Sequence, residues 1–245
     1  MRRKITFLLC LILFLVNGCV ISSSYRGIKN PPAESFVKIF HSIKVSSCKD
    51  PNDVKCPVGE FFSMGSGMAI NLIRDEMLVL TAGHVCDAKP TEAVKDFVQK
   101  TKVVDHTGTS HDSWVVLSEF TNGEGQPDMC ILWVPTLSVD KINFSYKKPK
   151  VGQELYYIGA PMGVFHPPTV PIFRGIYSGP INASSSIITA PAAGGSSGSA
   201  VLNHENKIVG IIWGVKPGFH HVSLMTRYEA SLSFLRRAAS QFQRK

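Results

Sequence analysis

The stretch Gly194–Ile212, GGSSGSAVLNHENKIVGII, holds three serines among glycines, then two short apolar runs separated by the polar turn Asn203-His204-Glu205-Asn206-Lys207. It reads in two ways that name different serines. As G-x-S-x-G, the residues Gly194, Ser196 and Gly198 form a nucleophile elbow, which requires a helix directly after the turn and the chain order Ser, acid, His. A hairpin pattern follows instead, and no aspartate remains before the C-terminus, so that reading fails on context. As G-x-S-G-S, Gly195 stands two residues before Ser197 and a strand begins just beyond. A glycine there lets its own N–H and that of Ser197 turn toward one point, which stabilises an oxyanion and makes Ser197 the nucleophile. A Gly-Ser linker would instead lie in flexible polar surroundings.

A serine nucleophile needs a base and a group to orient that base. The candidate base is His84 in Leu78-Val79-Leu80-Thr81-Ala82-Gly83-His84-Val85-Cys86, where an apolar strand ends in small residues that let an imidazole reach a groove. The candidate acid is Asp128, at the start of the apolar run Met129-Cys130-Ile131-Leu132-Trp133-Val134. A carboxylate entering a buried strand must be paired to offset its desolvation. Asp105 and Asp112 are rivals, but both stand among polar residues where nothing demands a partner. His106 and His111 fall in a polar loop, His204 in a turn, and His166, His220 and His221 near Pro or Gly.

Around these residues the apolar segments are short, rich in Val, Ile and Phe, and separated by Gly, Pro and polar turns: Phe36 to Val45, Met68 to Ile73, Met77 to Leu80, Ser113 to Phe120, Met129 to Val134, Glu154 to Ile158, Ser186 to Thr189, Ala200 to Leu202 and Ile208 to Trp213. That pattern predicts an all-β barrel or sandwich. Helical periodicity shows weakly at Thr91 to Lys100 and clearly at the end, where Leu232, Leu235, Ala239 and Phe242 share a face. With 44% hydrophobic and 18% charged residues in 245, the chain has material for a sizeable core, and disorder is not expected.

In their order, His84, Asp128 and Ser197 with their surrounding motifs resemble the chymotrypsin-fold (trypsin-like) serine peptidases. Gly65-Ser66-Gly67 followed by Leu80-Thr81-Ala82-Gly83-His84-Val85 resembles the first-barrel signature, Asp128-Met129-Cys130-Ile131-Leu132 the Asp strand, and Gly195-Ser196-Ser197-Gly198-Ser199 with Ile208-Val209-Gly210-Ile211 the nucleophile hairpin. The likeness spans Phe36 to Phe242 and is greatest to bacterial V8-like and HtrA-like protease domains. It implies two six-stranded antiparallel β-barrels with a C-terminal α-helix, a Ser197–His84–Asp128 triad, an oxyanion hole from Gly195 and Ser197, polypeptide substrates and no cofactor. The corresponding boundaries are an N-terminal barrel over 34–135, a linker over 136–150, a second barrel over 151–228, and a helix with its tail over 229–245. The departures are specific. Ser196 replaces the aspartate that binds a freshly cut N-terminus in digestive relatives, so activation by that salt bridge is not expected. Ile212 replaces the histidine that reads a substrate carboxylate in glutamyl-specific relatives. Pro191, Ile212, Trp213 and Gly214 are the expected substrate-binding positions, and their neighbours Ala192, Ala193 and Ile211 add no charge, so a small or apolar P1 residue is expected. No PDZ domain is expected after the terminal helix. The alternative to an active enzyme is a catalytically silent domain that binds or scaffolds at a membrane.

The N-terminus reads separately. Arg2, Arg3 and Lys4 precede the apolar run Ile5–Val16, too short to span a bilayer and typical of an export signal ending at residue 18. Val16-Asn17-Gly18-Cys19 resembles a lipobox, which implies lipidation at Cys19, a tether over 19–33 and a periplasmic or cell-surface location; plain secretion is the alternative. Loss of the signal lowers the formal charge by three, from +8 to +5. That charge is scattered, with no Lys/Arg run interleaved with aromatics, so no nucleic-acid partner is expected, and a monomer is. Cys48 and Cys56 flank a polar turn and are expected to pair. Cys86 and Cys130 either pair or are buried thiols, since four cysteines allow three connectivities. Without C-x-x-C or H-x-x-x-H spacing, a metal site is not expected.

Overall fold

The computed structural model describes residues 27–242 apart from 51, 55, 89, 121–125 and 217. The signal segment and the lipobox cysteine, Cys19, lie outside the described residues.

Twelve strands close into two six-stranded antiparallel barrels. The first comprises β1 (Phe36–Cys48), β2 (Gly59–Ile70), β3 (Leu78–Thr81), β4 (Val94–Val104), β5 (Ser110–Glu119) and β6 (Met129–Trp133), in the order β1-β2-β3-β6-β5-β4. The second comprises β7 (Glu154–Ile158), β8 (Ile172–Pro180), β9 (Ser185–Ile188), β10 (Ala200–Leu202), β11 (Ile208–Lys216) and β12 (Phe219–Thr226), in the order β10-β11-β12-β9-β8-β7. Closure removes sheet edges, which lets such short segments be stable together. Their continuous apolar runs explain why all of β3 and most of β6 are buried, whereas β1 alternates. Phe36, Ile39, Met68, Leu78, Leu80 and Ile131 fill the first barrel, and Leu155, Tyr157, Ile188, Val201, Val209 and Met225 the second. Between the barrels, Ile142 bridges to Ile70 and Phe144 to Ile208, so the connecting chain touches both.

A single helical turn, α1 (Gly83–Cys86), follows β3, and α2 (Tyr228–Phe242) ends the described chain. The buried stripe of α2 is Tyr228, Ser231, Phe234, Leu235 and Ala238, rotated from the expected face; Leu232 packs only partly. Arg237 clamps the helix to β5 through a two-pronged pair with Glu119, at 2.8 and 2.7 Å.

The helical expectation for Thr91 to Lys100 is overturned. From Val94 onward the segment is strand β4, paired with β1 from Lys38↔Val104 to Cys48↔Val94. Pairing with a 13-residue strand outweighs weak local periodicity. The strand patterns of β8 and β12 carry Gly, Pro or His and escaped detection in the sequence.

Candidate active site

Gly83 brings the first two candidates together. A Cβ there would stand 2.6 Å from Glu119 O and 3.0 Å from Asp128 Oδ1, so only glycine admits the carboxylate. Asp128, entering β6, then takes both ends of His84. Its Oδ1 accepts the His84 backbone N–H at 3.0 Å, one of the unpaired donors at the start of α1. Its Oδ2 lies 2.6 Å from His84 Nδ1. A carboxylate on Nδ1 holds that nitrogen as the N–H and leaves Nε2 free to accept a proton. Phe120 packs against the imidazole, with ring centroids 5.8 Å apart. Asp87 and Ala88, just after α1, are held by Gln99 of β4, which also meets the buried His41 at 3.2 Å. Burial lowers the pKa of His41 and so favours the neutral ring, against the opposing influence of Gln99 and Asp87.

Ser197 follows a β-turn in which Ser196 N–H donates to Ala193 O at 2.9 Å. Gly195, third in that turn, has φ +92°, which a type II turn requires and which a side chain rarely tolerates. The Gly194 carbonyl accepts from Met162 N–H at 2.6 Å. Since C=O and N–H of a trans peptide point oppositely, Gly195 N–H faces away from Met162. Among the described residues, neither Gly195 N–H nor Ser197 N–H donates to a protein acceptor. Ser196 is buried, and its Oγ accepts from Ala193 N–H at 3.2 Å, so the turn is stapled from within. Tyr157 supports it too, donating to Pro191 O; burial pushes its phenol up to about 12, opposed by its contact with Ser196, and keeps it a donor.

The loop is pinned between the barrels. Ser66 N–H donates to Ser197 O at 2.8 Å, and Gly198 N–H donates to Ile212 O at 2.7 Å. Ser66 Oγ donates to Gly195 O at 2.8 Å and accepts from Ala160 N–H at 3.0 Å, while Thr81 Oγ1 donates to Ser66 O at 2.8 Å. Sequence reasoning missed Ser66 as a functional position; its flanking glycines were the available signal. A Cβ at Gly65 would stand 2.9 Å from Ser197 O and 2.6 Å from a Val85 methyl, and one at Gly198 would stand 2.1 Å from Ser66 O.

Of the expected substrate positions, Pro191 is exposed and Trp213 and Gly214 are half-buried. Trp213 sits at a register shift between Ile212↔Met225 and Gly214↔Leu224, an irregularity of the kind that re-aims a side chain. Ile212 is buried in the second-barrel core with Ala190 and Ala192. The Ala190–Ala192 segment is strapped to β12 by Ser223 Oγ to Ala190 O at 2.6 Å and by Ala192 N–H to His220 O at 3.1 Å.

Both expected and open cysteine questions resolve as disulfides, Cys48–Cys56 and Cys86–Cys130. The reading of Asp105 as needing no partner is corrected. It is buried at the β4–β5 turn, with Oδ2 3.1 Å from His111 Nε2 and Oδ1 accepting from Thr107 and Thr109. Burial alone would raise its pKa, but these hydrogen bonds prevail and hold it at about 2. His111 Nδ1 meets Thr136 Oγ1 at 3.0 Å, which closes a structural cluster. Asp112 is exposed beside Lys102.

A family model of the trypsin-like peptidase domain matches residues 65–211, more than half of the chain. Three solved structures share the fold. The active form of the Rv3671c protease from M. tuberculosis is 17% identical with a TM-score of 0.60, covering 84% of this chain and 82% of that one. A serine endoprotease from Yersinia pestis is 16% identical with a TM-score of 0.61, covering 89% and 67%. An HtrA-type protease solved with a decapeptide is 17% identical with a TM-score of 0.64, covering 87% and 66%. No curated protein matches the chain in sequence. With the family model spanning His84, Asp128 and Ser197, the chain belongs to the trypsin-like peptidase domain family and is by class a serine endopeptidase.

Proposed function

We propose that Ser197, His84 and Asp128 form the catalytic triad and that the protein, itself exported and tethered at a membrane surface through Cys19, cleaves polypeptides. The observation that carries this reading is the double capture of His84 by Asp128, at 3.0 Å on the backbone and 2.6 Å on Nδ1, beside a turn with two unspent N–H groups. In the reaction, Ser197 Oγ attacks the peptide carbonyl carbon as His84 Nε2 takes its proton. The oxyanion is stabilised by the N–H groups of Gly195 and Ser197, each such donor contributing about 3 kcal/mol to lowering the barrier. The imidazolium, steadied by Asp128, gives its proton to the leaving amine, and the acyl-enzyme forms. Water then enters with His84 again as base, which releases the acid and restores Ser197.

The uncharged surroundings of Pro191, Ala192, Ala193 and Trp213 favour a small or apolar residue at the acyl side of the cut. Export and the Cys19 anchor rest on the leader sequence and are consistent with two disulfides in the domain. Labelling of residues 20–245 with a fluorophosphonate probe tests the triad. Labelling should disappear in Ser197→Ala and His84→Ala and persist in Ser196→Ala. Failure of the folded wild-type domain to label would favour a silent binding module instead. Metabolic incorporation of a palmitate analogue into full-length protein, lost in Cys19→Ser, tests the anchor.

A further inference from the structure

His84 is carried on a helix of a single turn, α1, and four residues make too few backbone hydrogen bonds to hold a helical turn in place by themselves. The position of α1 is therefore set by what grips its two ends. At its entry, Asp128 takes the His84 N–H and Nδ1. At its exit, Asp87 N–H donates back to Gly83 O at 3.0 Å, so the segment leaving the helix and the residue before His84 move together. Beyond the Cys86–Cys130 bond, that exit is gripped by one side chain from another strand, Gln99 of β4.

Gln99 uses both ends of its amide. Oε1 accepts the Ala88 backbone N–H at 3.2 Å, and Nε2 donates to Asp87 Oδ1 at 3.2 Å. A backbone N–H can only donate and a carboxylate can only accept, so these two partners fix which way the amide faces. A third contact follows from that. His41 Nε2 lies 3.2 Å from the same Oε1, and because a carbonyl oxygen only accepts, Nε2 carries the proton. His41 belongs to β1, is 2% exposed, and pairs with Thr101, two residues along β4 from Gln99. Burial favours its neutral form against the pull of Asp87. The contacts thus run in one direction, from a buried ring in the first barrel through Gln99 to the exit of α1.

The two residues that Gln99 grips are the third and fourth after His84, one helical turn along the chain from it. Proton transfer demands close alignment, and misplacing a catalytic group by about 1 Å can cost about 10²-fold in rate. We propose that Gln99 is a positioning residue for the reaction: it fixes the exit of α1 and thereby the aim of His84 Nε2 at Ser197. Its effect on rate rests on the triad reading, whereas its effect on the His84–Asp128 contact does not.

Exchanging the two ends of one hydrogen bond tests it. Gln99→Glu sets a carboxylate oxygen against Asp87 Oδ1, which turns a hydrogen bond into a like-charge contact. Asp87→Asn alone keeps an acceptor oxygen for the Gln99 amide. The double variant Gln99→Glu/Asp87→Asn restores the bond with carboxylate and amide interchanged, while Ala88 N–H and His41 Nε2 still meet an acceptor. On a small activated ester, kcat should fall about tenfold or more in Gln99→Ala and Gln99→Glu with KM within about twofold, and should return to within about threefold of wild type in the double variant. Ser231→Ala, which removes a buried hydroxyl of α2, controls for lost stability and should not reproduce the fall in kcat. A second readout needs no turnover. The downfield proton resonance of the 2.6 Å His84 Nδ1–Asp128 Oδ2 hydrogen bond should shift or broaden in Gln99→Glu and recover in the double variant. Wild-type kcat in folded Gln99→Ala and Gln99→Glu, or a double variant no better than Gln99→Glu, overturns the proposal. A resonance that responds and recovers in a domain that does not label with fluorophosphonate would uphold the positioning of His84 and remove the catalytic reading of Ser197.

Discussion

Cys86 and Cys130 each stand two residues after one member of the His84–Asp128 pair, and a disulfide with a Cα separation of 6.5 Å joins them. The bond ties the end of α1 to β6, so the elements that carry the imidazole and the carboxylate are linked covalently beside their 2.6 Å contact. Both sulfurs are buried. The pair Cys86→Ala/Cys130→Ala should lose about 2–4 kcal/mol of stability in denaturant titrations, the size expected for releasing a loop of 44-residue separation. If the bond also positions the pair, kcat of the folded variant should fall with little change in KM. An unchanged kcat would assign the disulfide to stability alone.

Asp128→Asn preserves shape but presents an amide that favours the wrong imidazole tautomer. We expect kcat to fall about 10⁴-fold with KM nearly constant, as measured on an activated ester. A loss below about tenfold would remove Asp128 from the orienting role.

Ser66→Ala deletes a hydroxyl with two buried partners, Gly195 O and Ala160 N–H. Leaving those groups unsatisfied should cost about 1–3 kcal/mol. Because one of them belongs to the oxyanion turn, fluorophosphonate labelling should also slow, while a variant at the buried hydroxyl Ser231 of α2, which bonds Thr226 Oγ1 and Arg227 O, should lose stability without slowing the labelling step to the same degree. Gly195→Ala should be harsher than Ser66→Ala, since its Cβ would stand 2.5 Å from Ala160 O at a φ of +92°.

Asp105 provides a pH test. Its folded pKa of about 2 lies below the unfolded value of 3.8, so its contribution to stability is complete above the unfolded pKa and is lost as pH falls through the folded one. Asp105→Asn should therefore be less stable than wild type at pH 6, and the gap should narrow between about pH 4 and pH 2. A gap that stays constant over that range would mean that the carboxylate charge is not what stabilises the turn.

The features legible in the chain were those written in neighbouring residues. Short Val- and Ile-rich runs between turn residues announced strands, and the small-residue approach to His84, the aspartate at the mouth of a buried strand, and Gly195 two places before Ser197 announced a site. Cys48 and Cys56 are close enough in sequence for their pairing to be read directly. By contrast, residues 94–100 carry a faint helical period and become strand because β1 needs a partner along its length. The stripe on α2 is set by the surfaces it meets, and so differs from the one its most apolar residues suggested.

What the sequence by itself determined is therefore the all-β class, with barrel or sandwich left open by the pattern, the identity of the residues suited to serine chemistry and their order along the chain, because periodicity, turn chemistry and local backbone demands act over a few residues. Only the tertiary structure decided which of them meet. The double hold of Asp128 on His84, the Cys86–Cys130 bond, the Asp105–His111 pair and the Ser66 bridge to Gly195 depend on burial and on contacts that barrel closure creates. The Ser66 contact spans 129 positions, and no local pattern in a single sequence specifies a hydrogen bond over that distance.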